Sequence, residues 1–148
     1  MSNENNLPFS VTLEVRDSCL CLHTQRAARA LARRYDEGLR PFGLTNGQFS
    51  LLMSLNRPAP PPMGAVASLL AMDRTTLTAN LKPLERRGLV TISPDPADQR
   101  SHLLALTASG REALINALPV WRQIQAEIQQ RLAPASPEQV CANLRRLA

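Results

Sequence analysis

Leucines recur at helical spacing in the middle of the chain. Leu77, Leu81 and Leu84 follow the i, i+4, i+7 pattern of one buried helix face, which predicts a helix over residues 74–87. A shorter apolar pattern over residues 63–70 predicts another helix directly before it. Helix, turn, helix is the order of a DNA-binding unit whose second helix lies in the major groove.

Two β-like runs follow this pair of helices. Gly88 marks the end of the second helix, and residues 89–93 and 102–106 flank a polar loop that contains two prolines and two aspartates. The pattern predicts a hairpin with Arg100 at its tip, where an arginine can enter a narrow minor groove. Asp98 is placed to hold that guanidinium in a charge-assisted pair.

Hydroxyls and cations occupy the face of the predicted second helix opposite its leucines. Such groups can reach base edges and phosphates, whereas the alternative interpretation is an ordinary solvated face. The hairpin favours the DNA interpretation. The candidate DNA-binding residues are Arg74, Thr75, Thr76, Thr78, Lys82, Arg86, Asp98 and Arg100. Asp73 and Thr75 are the candidate caps of this helix, and Pro83 is expected to bend it.

Long amphipathic patterns flank this central region. One predicts a helix that is capped by Asp17 or Ser18 and ends near Gly38, and another predicts a helix over residues 108–131 that is capped by Thr107. A last helix is expected to begin at Pro137 after a Ser136 cap, and Thr45 is expected to cap a helix over residues 46–55. The terminal helices carry more apolar side chains than a small winged helix can cover, which predicts an isologous dimer.

One run of residues resembles a known family. The motif D-P-x-D-x-R-x(5)-L-T-x-x-G-R spans residues 95–111 and resembles the wing signature of MarR-family winged-helix repressors. The recognition helix of that family is resembled by residues 72–78, and the end of that helix by residues 84–90. The start of an earlier helix of the family is resembled by residues 43–49. Many members carry a large basic residue where this chain has Ala79. The Pro-rich residues 57–62 stand where the family usually has its first short strand, and any strand there should be vestigial because prolines lack the N–H of a β ladder.

The resemblance implies a mostly α fold with a small β-hairpin wing. The winged helix-turn-helix would occupy residues 45–106, and residues 1–44 and 107–148 would form a helical dimerisation region from both termini. It also implies a homodimeric repressor that binds double-stranded DNA at a pseudo-palindromic operator. A small aromatic or apolar effector held between the dimer helices and the winged helix would relieve DNA binding.

Composition agrees with a nucleic-acid partner. The chain of 148 residues has a net charge of +5 and a pI near 10.1, and of its 17 cations only Lys82 is a lysine. Arginine suits phosphate better than lysine does. Aromatic residues make up 3% of the chain, which argues against a single-strand binder that stacks bases. No signal peptide or membrane span is evident, so we expect a cytoplasmic protein with free thiols.

The three cysteines leave two alternatives open. Cys21 lies where the hydroperoxide-sensing branch of the MarR family has its reactive cysteine, and Tyr35 matches one of the two tyrosines that contact the sulfur in that branch. Asn46 replaces the second tyrosine. We therefore favour a buried, packing role for Cys21 over a thiol-based oxidant sensor. A thiol redox enzyme that uses Cys19 and Cys21 is the alternative from another class, although we find no catalytic constellation, metal site or cofactor motif.

Overall fold

The structure, a computed structural model, describes residues 6–148. The chain forms two compact units that divide between Arg34 and Tyr35. Each unit is described by itself below. No helix within residues 6–148 has the length and apolar character needed to cross a membrane.

The first unit contains one whole helix and the first part of a second, longer helix. Helix α1 spans Phe9–Ser18, and α2 begins at Leu20 and continues to Leu39 in the second unit. The prediction that Asp17 or Ser18 caps the long helix is therefore wrong, because both residues belong to α1, whereas the predicted end near Gly38 agrees with the observed end at Leu39. Cys19 adopts an extended backbone at the break, and its sulfur accepts a hydrogen bond from the Leu22 N–H at 3.4 Å. A thiol takes the position that an N-cap hydroxyl or carboxylate usually occupies.

The second unit is a winged helix followed by two further helices. A short 3-10 turn follows α2. The next elements are α3 (Asn46–Ser54), α4 (Met63–Leu69), α5 (Arg74–Arg86), β1 (Val90–Asp95), β2 (Asp98–Leu106), α6 (Ala108–Leu132) and α7 (Pro137–Arg145). This order agrees with the helix-turn-helix and hairpin that the sequence predicts.

Polar side chains begin four of these helices where the sequence predicts caps. Thr45, Asp73, Thr107 and Ser136 each accept a hydrogen bond from the backbone N–H three residues later. These bonds satisfy N–H groups that have no partner inside the helix. Thr75, the alternative cap of α5, is instead the second residue of that helix. The caps therefore fix where each helix begins.

The hairpin is longer than the sequence indicates, and its register shifts between Pro94 and Asp95. Its antiparallel strands extend to Asp95 and Asp98, so that only Pro96 and Ala97 remain between them. Asp95 Oδ1 accepts the Ala97 N–H at 2.9 Å, and Asp98 Oδ1 accepts the Arg100 N–H at 3.0 Å. The predicted loop over residues 94–100 is therefore reduced to a two-residue turn, and Arg100 is the third residue of β2. It still lies at the end of the hairpin, beyond the regular ladder that ends at Pro94 and His102.

A third strand is reduced to a single bridge. Pro62 pairs with Leu103, and the Pro61 carbonyl accepts the Leu104 N–H at 3.0 Å. Prolines have no N–H to donate to a β ladder. The expectation that the Pro-rich segment forms at most a vestigial strand is confirmed.

The core contains the leucine face that the periodicity predicts. Leu77, Leu81 and Leu84 of α5 are fully buried with Leu52 of α3 and Leu104 of β2. Replacing a buried leucine with alanine typically costs about 2–5 kcal/mol. The buried face therefore fixes the rotation of α5 and the direction in which its polar face points.

Gly110 permits the close approach of α6 to the wing. A Cβ atom at this position would collide with the Leu89 carbonyl oxygen. Thr107 stabilises the same approach of α6, since its N–H donates to the Leu89 carbonyl and its hydroxyl donates to the Gly88 carbonyl. The threonine and glycine of the L-T-x-x-G-R motif therefore have a structural role.

Candidate nucleic-acid interface

Helix α5 presents a polar face on the side opposite its leucines. Thr75, Ala79, Lys82 and Arg86 share this face, and all four are exposed. Arg74 and Thr78 lie on the flank that faces α4, and Thr76 lies on the other flank. The predicted residues of α5 are thus brought to one side of the helix. Two cations and several hydroxyls there can meet phosphates and base edges.

The start of α5 is held by an ionised carboxylate. Asp73 accepts hydrogen bonds from the Thr76 N–H at 2.7 Å and from the Thr76 hydroxyl at 3.0 Å. These two hydrogen bonds lower the pKa of Asp73 from its ordinary value, and the bond from the backbone N–H has the larger effect. A negative charge also interacts favourably with the N-terminal end of a helix. Asp73 therefore stabilises the end of α5 that carries Arg74 and Thr75.

The three threonines of the predicted site differ in what they can offer DNA. The Thr76 hydroxyl donates to Asp73, and the Thr78 hydroxyl donates to the Arg74 carbonyl at 2.8 Å. Both retain acceptor lone pairs and a methyl group, but their protons are already used. Within residues 6–148 no hydrogen bond of the Thr75 side chain is found. Thr75 therefore has its hydroxyl proton available for a base or phosphate acceptor.

The wing residues adopt a different arrangement from the predicted one. Asp98 binds the Arg100 main chain, and no side-chain ion pair between these two exposed residues is found in the described chain. Asp98 thus shapes the strand near Arg100 rather than its guanidinium. Because Arg100 is exposed near the end of the hairpin, between the regular ladder and the turn, its guanidinium remains a candidate for groove contact.

Asn80 is a candidate that the sequence analysis did not include. It is exposed on α5 beside Ala79, and its Nδ2 atom lies 3.5 Å from Met72 Sδ. Asparagine can pair with adenine through two hydrogen bonds. The leucine spacing already places Asn80 on a flank of α5. The structure adds that its side chain is exposed there.

The cysteines of the first unit are not buried. Cys21 is exposed, and its sulfur accepts a hydrogen bond from the Gln25 side-chain amide at 3.2 Å. The expectation of a buried, packing cysteine is therefore wrong for this chain by itself, because the face of α2 that carries Cys21 has no covering element in its own unit. In the second unit the Tyr35 hydroxyl donates to Gln125 Oε1 at 2.7 Å. Asn46 donates to Asp36 through its backbone and its side chain.

An apolar cavity lies between α3, α6 and the C-terminal end of α4, within the second unit. It has a volume of about 520 Å³ and opens to solvent. Phe49 and Trp121 stack in its wall with their ring centroids 6.2 Å apart. The lining residues are Phe49, Ser50, Met53, Ser54, Leu69, Leu70, Leu118 and Trp121. Apolar walls with a few hydroxyl groups are typical of sites for small organic molecules.

Known proteins share both the sequence and the fold. Residues 44–102 match the model of the MarR family. The chain is 36% identical over 122 residues to the transcriptional repressor NicR of Pseudomonas putida, a match that covers 81% of this chain and 73% of that protein. The chain belongs to the MarR family. Its function is that of a DNA-binding transcriptional regulator.

Solved structures of MarR-family regulators agree with this assignment. The Mycobacterium tuberculosis regulator MosR in complex with DNA is 40% identical, with a TM-score of 0.79 over 88% of this chain and 93% of that one. A probable regulator from Pseudomonas aeruginosa is 32% identical, with a TM-score of 0.74 over 89% and 98% of the two chains. The family and the winged-helix fold predicted from the sequence are thus confirmed, whereas the individual contact residues and the domain boundaries remain predictions.

Proposed function

We propose that this regulator is a homodimeric cytoplasmic repressor, without catalytic activity, that a small, largely apolar ligand releases from a pseudo-palindromic operator. The polar face of α5 is the observation that carries the proposal. Its exposed cations and its available Thr75 hydroxyl lie on a helix whose rotation is fixed by three fully buried leucines. A rigid helix that presents such groups on one side is suited to reading a major groove.

The proposal assigns DNA binding and dimerisation to different parts of the chain. Residues 45–106 would contain the DNA-binding region, and residues 1–44 and 107–148 would form the dimer interface. Leu7, Phe9 and Leu20 of the first unit are each at least 67% exposed, and Leu147 near the C-terminus is 61% exposed. Apolar side chains in such numbers are normally covered, and a second copy would cover them while supplying a second α5 for the other half-site.

The apolar cavity supports release by a ligand. Its lining residues come from α3, from α6 and from the C-terminal end of α4, where Leu69 and Leu70 lie. Helix α4 directly precedes α5. A flat, weakly polar molecule could lie against the Phe49 and Trp121 rings and hydrogen-bond to Ser50 or Ser54. Because a ligand shifts an equilibrium only by binding one state better, the effector must favour an arrangement of α4 that does not fit DNA.

The decisive experiment is a binding titration with duplex DNA. Duplexes selected by the wild-type protein from a randomised library provide the probe, and their sequence reveals any two-fold symmetry. We expect the logarithm of the association constant to fall steeply with the logarithm of salt concentration, because cations on the protein displace counterions. The variant Lys82→Ala with Arg86→Ala should bind more weakly and with a shallower slope. Salt-independent binding, or no duplex selected at all, would contradict the proposal.

An oxidant sensor is the second candidate, and the exposure of Cys21 favours it. Only an accessible thiol can react with a hydroperoxide. A relative named for organic hydroperoxide resistance in Bacillus subtilis is 30% identical over 91 residues, which is 62% of this chain and 62% of that protein. Asn46 is a departure from the sensing branch, because its amide is bonded to Asp36 and cannot replace a tyrosine hydroxyl at the sulfur.

A further inference from the structure

A glycine at the start of α4 leaves room for the guanidinium of Arg74. Gly64 is the second residue of α4, and Arg74 is the first residue of α5. A Cβ atom built on Gly64 would lie 3.2 Å from Arg74 Nη2. Among the described residues, apart from its chain neighbours and its own helix backbone, no other atom lies within 4 Å of that position. The tip of the exposed Arg74 side chain therefore lies beside the half-buried Gly64.

The backbone conformation does not require glycine at this position. Gly43 and Gly88 have φ angles of 71° and 72°, whereas Gly64 has no positive φ and lies inside a helix. Glycine is less favourable than alanine in a helix because it loses more conformational freedom on folding. Glycine therefore differs from alanine at this site mainly in the space that it leaves for the Arg74 guanidinium.

Met63 makes a second contact from the same turn of α4. Its sulfur lies 3.8 Å from the Thr78 hydroxyl, which donates to the Arg74 carbonyl. Arg74 and Thr78 are one helical turn apart, on the flank of α5 that faces α4. We call Met63 and Gly64 the α4 seat. The seat contacts two of the candidate DNA-binding side chains without itself belonging to α5.

We propose that Gly64 is a positioning residue for operator binding, which acts by letting the Arg74 guanidinium lie in the α4 seat. The inference rests on the proposed DNA contact of α5. An arginine loses rotamer freedom when it is immobilised at an interface, and a side chain that has fewer accessible rotamers beforehand loses less. A larger residue at position 64 would occupy the space of the guanidinium and force Arg74 into another rotamer.

The test compares Gly64→Gln in two backgrounds. Binding to the selected duplex is measured over a range of salt concentrations for the wild type, Gly64→Gln, Arg74→Ala and the double variant. We expect Gly64→Gln to weaken binding about tenfold and to reduce the salt slope by about one, as the loss of one phosphate contact would. In the Arg74→Ala background, Gly64→Gln should cause no further loss, because the side chain through which it acts is absent.

Gly47 provides a matched control. It is the second residue of α3, and no atom lies within 4 Å of a Cβ built on it. Gly47→Gln should therefore leave both affinity and salt slope unchanged, and both variants should melt at or above the temperature of the wild type. Gly64→Ala, which displaces the guanidinium less, should show a smaller loss in the same direction.

Three results would overturn the inference. They are an unchanged affinity in Gly64→Gln, an equal loss with and without Arg74, and an Arg74→Ala variant that binds like the wild type. The first two would leave α5 as the DNA-binding helix and reject only the α4 seat. Failure of the wild type to bind duplex DNA in a salt-dependent manner would reject the proposed function as well, and it is seen before any variant is compared.

Discussion

At the scale of single residues, the wing offers a sharp test of DNA contact. We expect Arg100→Ala to weaken operator binding by about 1–3 kcal/mol, the usual value of one good groove contact. Asp98→Ala should weaken binding less, because it removes only the acceptor for the Arg100 N–H. Asp98→Asn keeps that acceptor and removes a negative charge, so it should bind at least as tightly as Asp98→Ala. Fluorescence anisotropy at fixed salt measures all three, and unchanged affinity in Arg100→Ala would exclude the wing from recognition.

Cys21 is the second residue whose role can be decided by one substitution. A sensing cysteine needs an environment that supports its reaction with peroxide. Asn46 stands where the sensing branch has its second tyrosine, and its side-chain amide donates to Asp36 instead. We therefore expect peroxide to leave both the wild type and Cys21→Ser bound to the duplex, with release caused by an apolar ligand instead. Peroxide release that Cys21→Ser abolishes, with DNA affinity intact, would establish the oxidant sensor.

At the scale of elements, the cap of α5 links pH to stability. Hydrogen bonds from Thr76 lower the pKa of Asp73 in the folded chain, so the stabilisation is complete above the unfolded value near 3.8 and is lost as pH falls through the lower folded value. Asp73→Ala should therefore lower the melting temperature at pH 7, and the difference from the wild type should shrink in strong acid, where the neutral carboxyl is a weaker acceptor. Circular dichroism melts measure this, with Glu85→Ala of the same helix as the control. A difference that persists unchanged in strong acid would contradict an ionic cap.

The elements also show what the sequence can and cannot predict. Periodicity correctly predicted the buried face of α5, and side-chain chemistry correctly predicted the caps at Thr45 and Thr107, since both signals are local. The break at Cys19 was missed because a sulfur is an unusual cap. The length of the hairpin was missed because it depends on two aspartate side chains that bind the backbone. Similarly, only the three-dimensional structure shows that the Thr75 hydroxyl is available while that of Thr76 is already bonded.

At the scale of the whole molecule, the uncovered apolar side chains predict a dimer. Leu144 and Leu147 at the C-terminal end are 44% and 61% exposed. Full burial of a leucine contributes about 1.5–3 kcal/mol relative to exposure, and an isologous interface would bury each of them twice. Sedimentation at micromolar concentration should therefore give about twice the chain mass of 16.3 kDa.

The interface can be tested by placing charges on the same helix end. Leu144→Asp combined with Leu147→Asp should shift the protein to monomers and weaken operator binding, because one α5 can then reach only one half-site. Arg145→Asp, an exposed neighbour on α7, changes charge without removing apolar surface and serves as the control. Circular dichroism must show that the double variant remains folded. A folded monomer that binds the whole operator as tightly as the wild type would contradict the dimeric architecture.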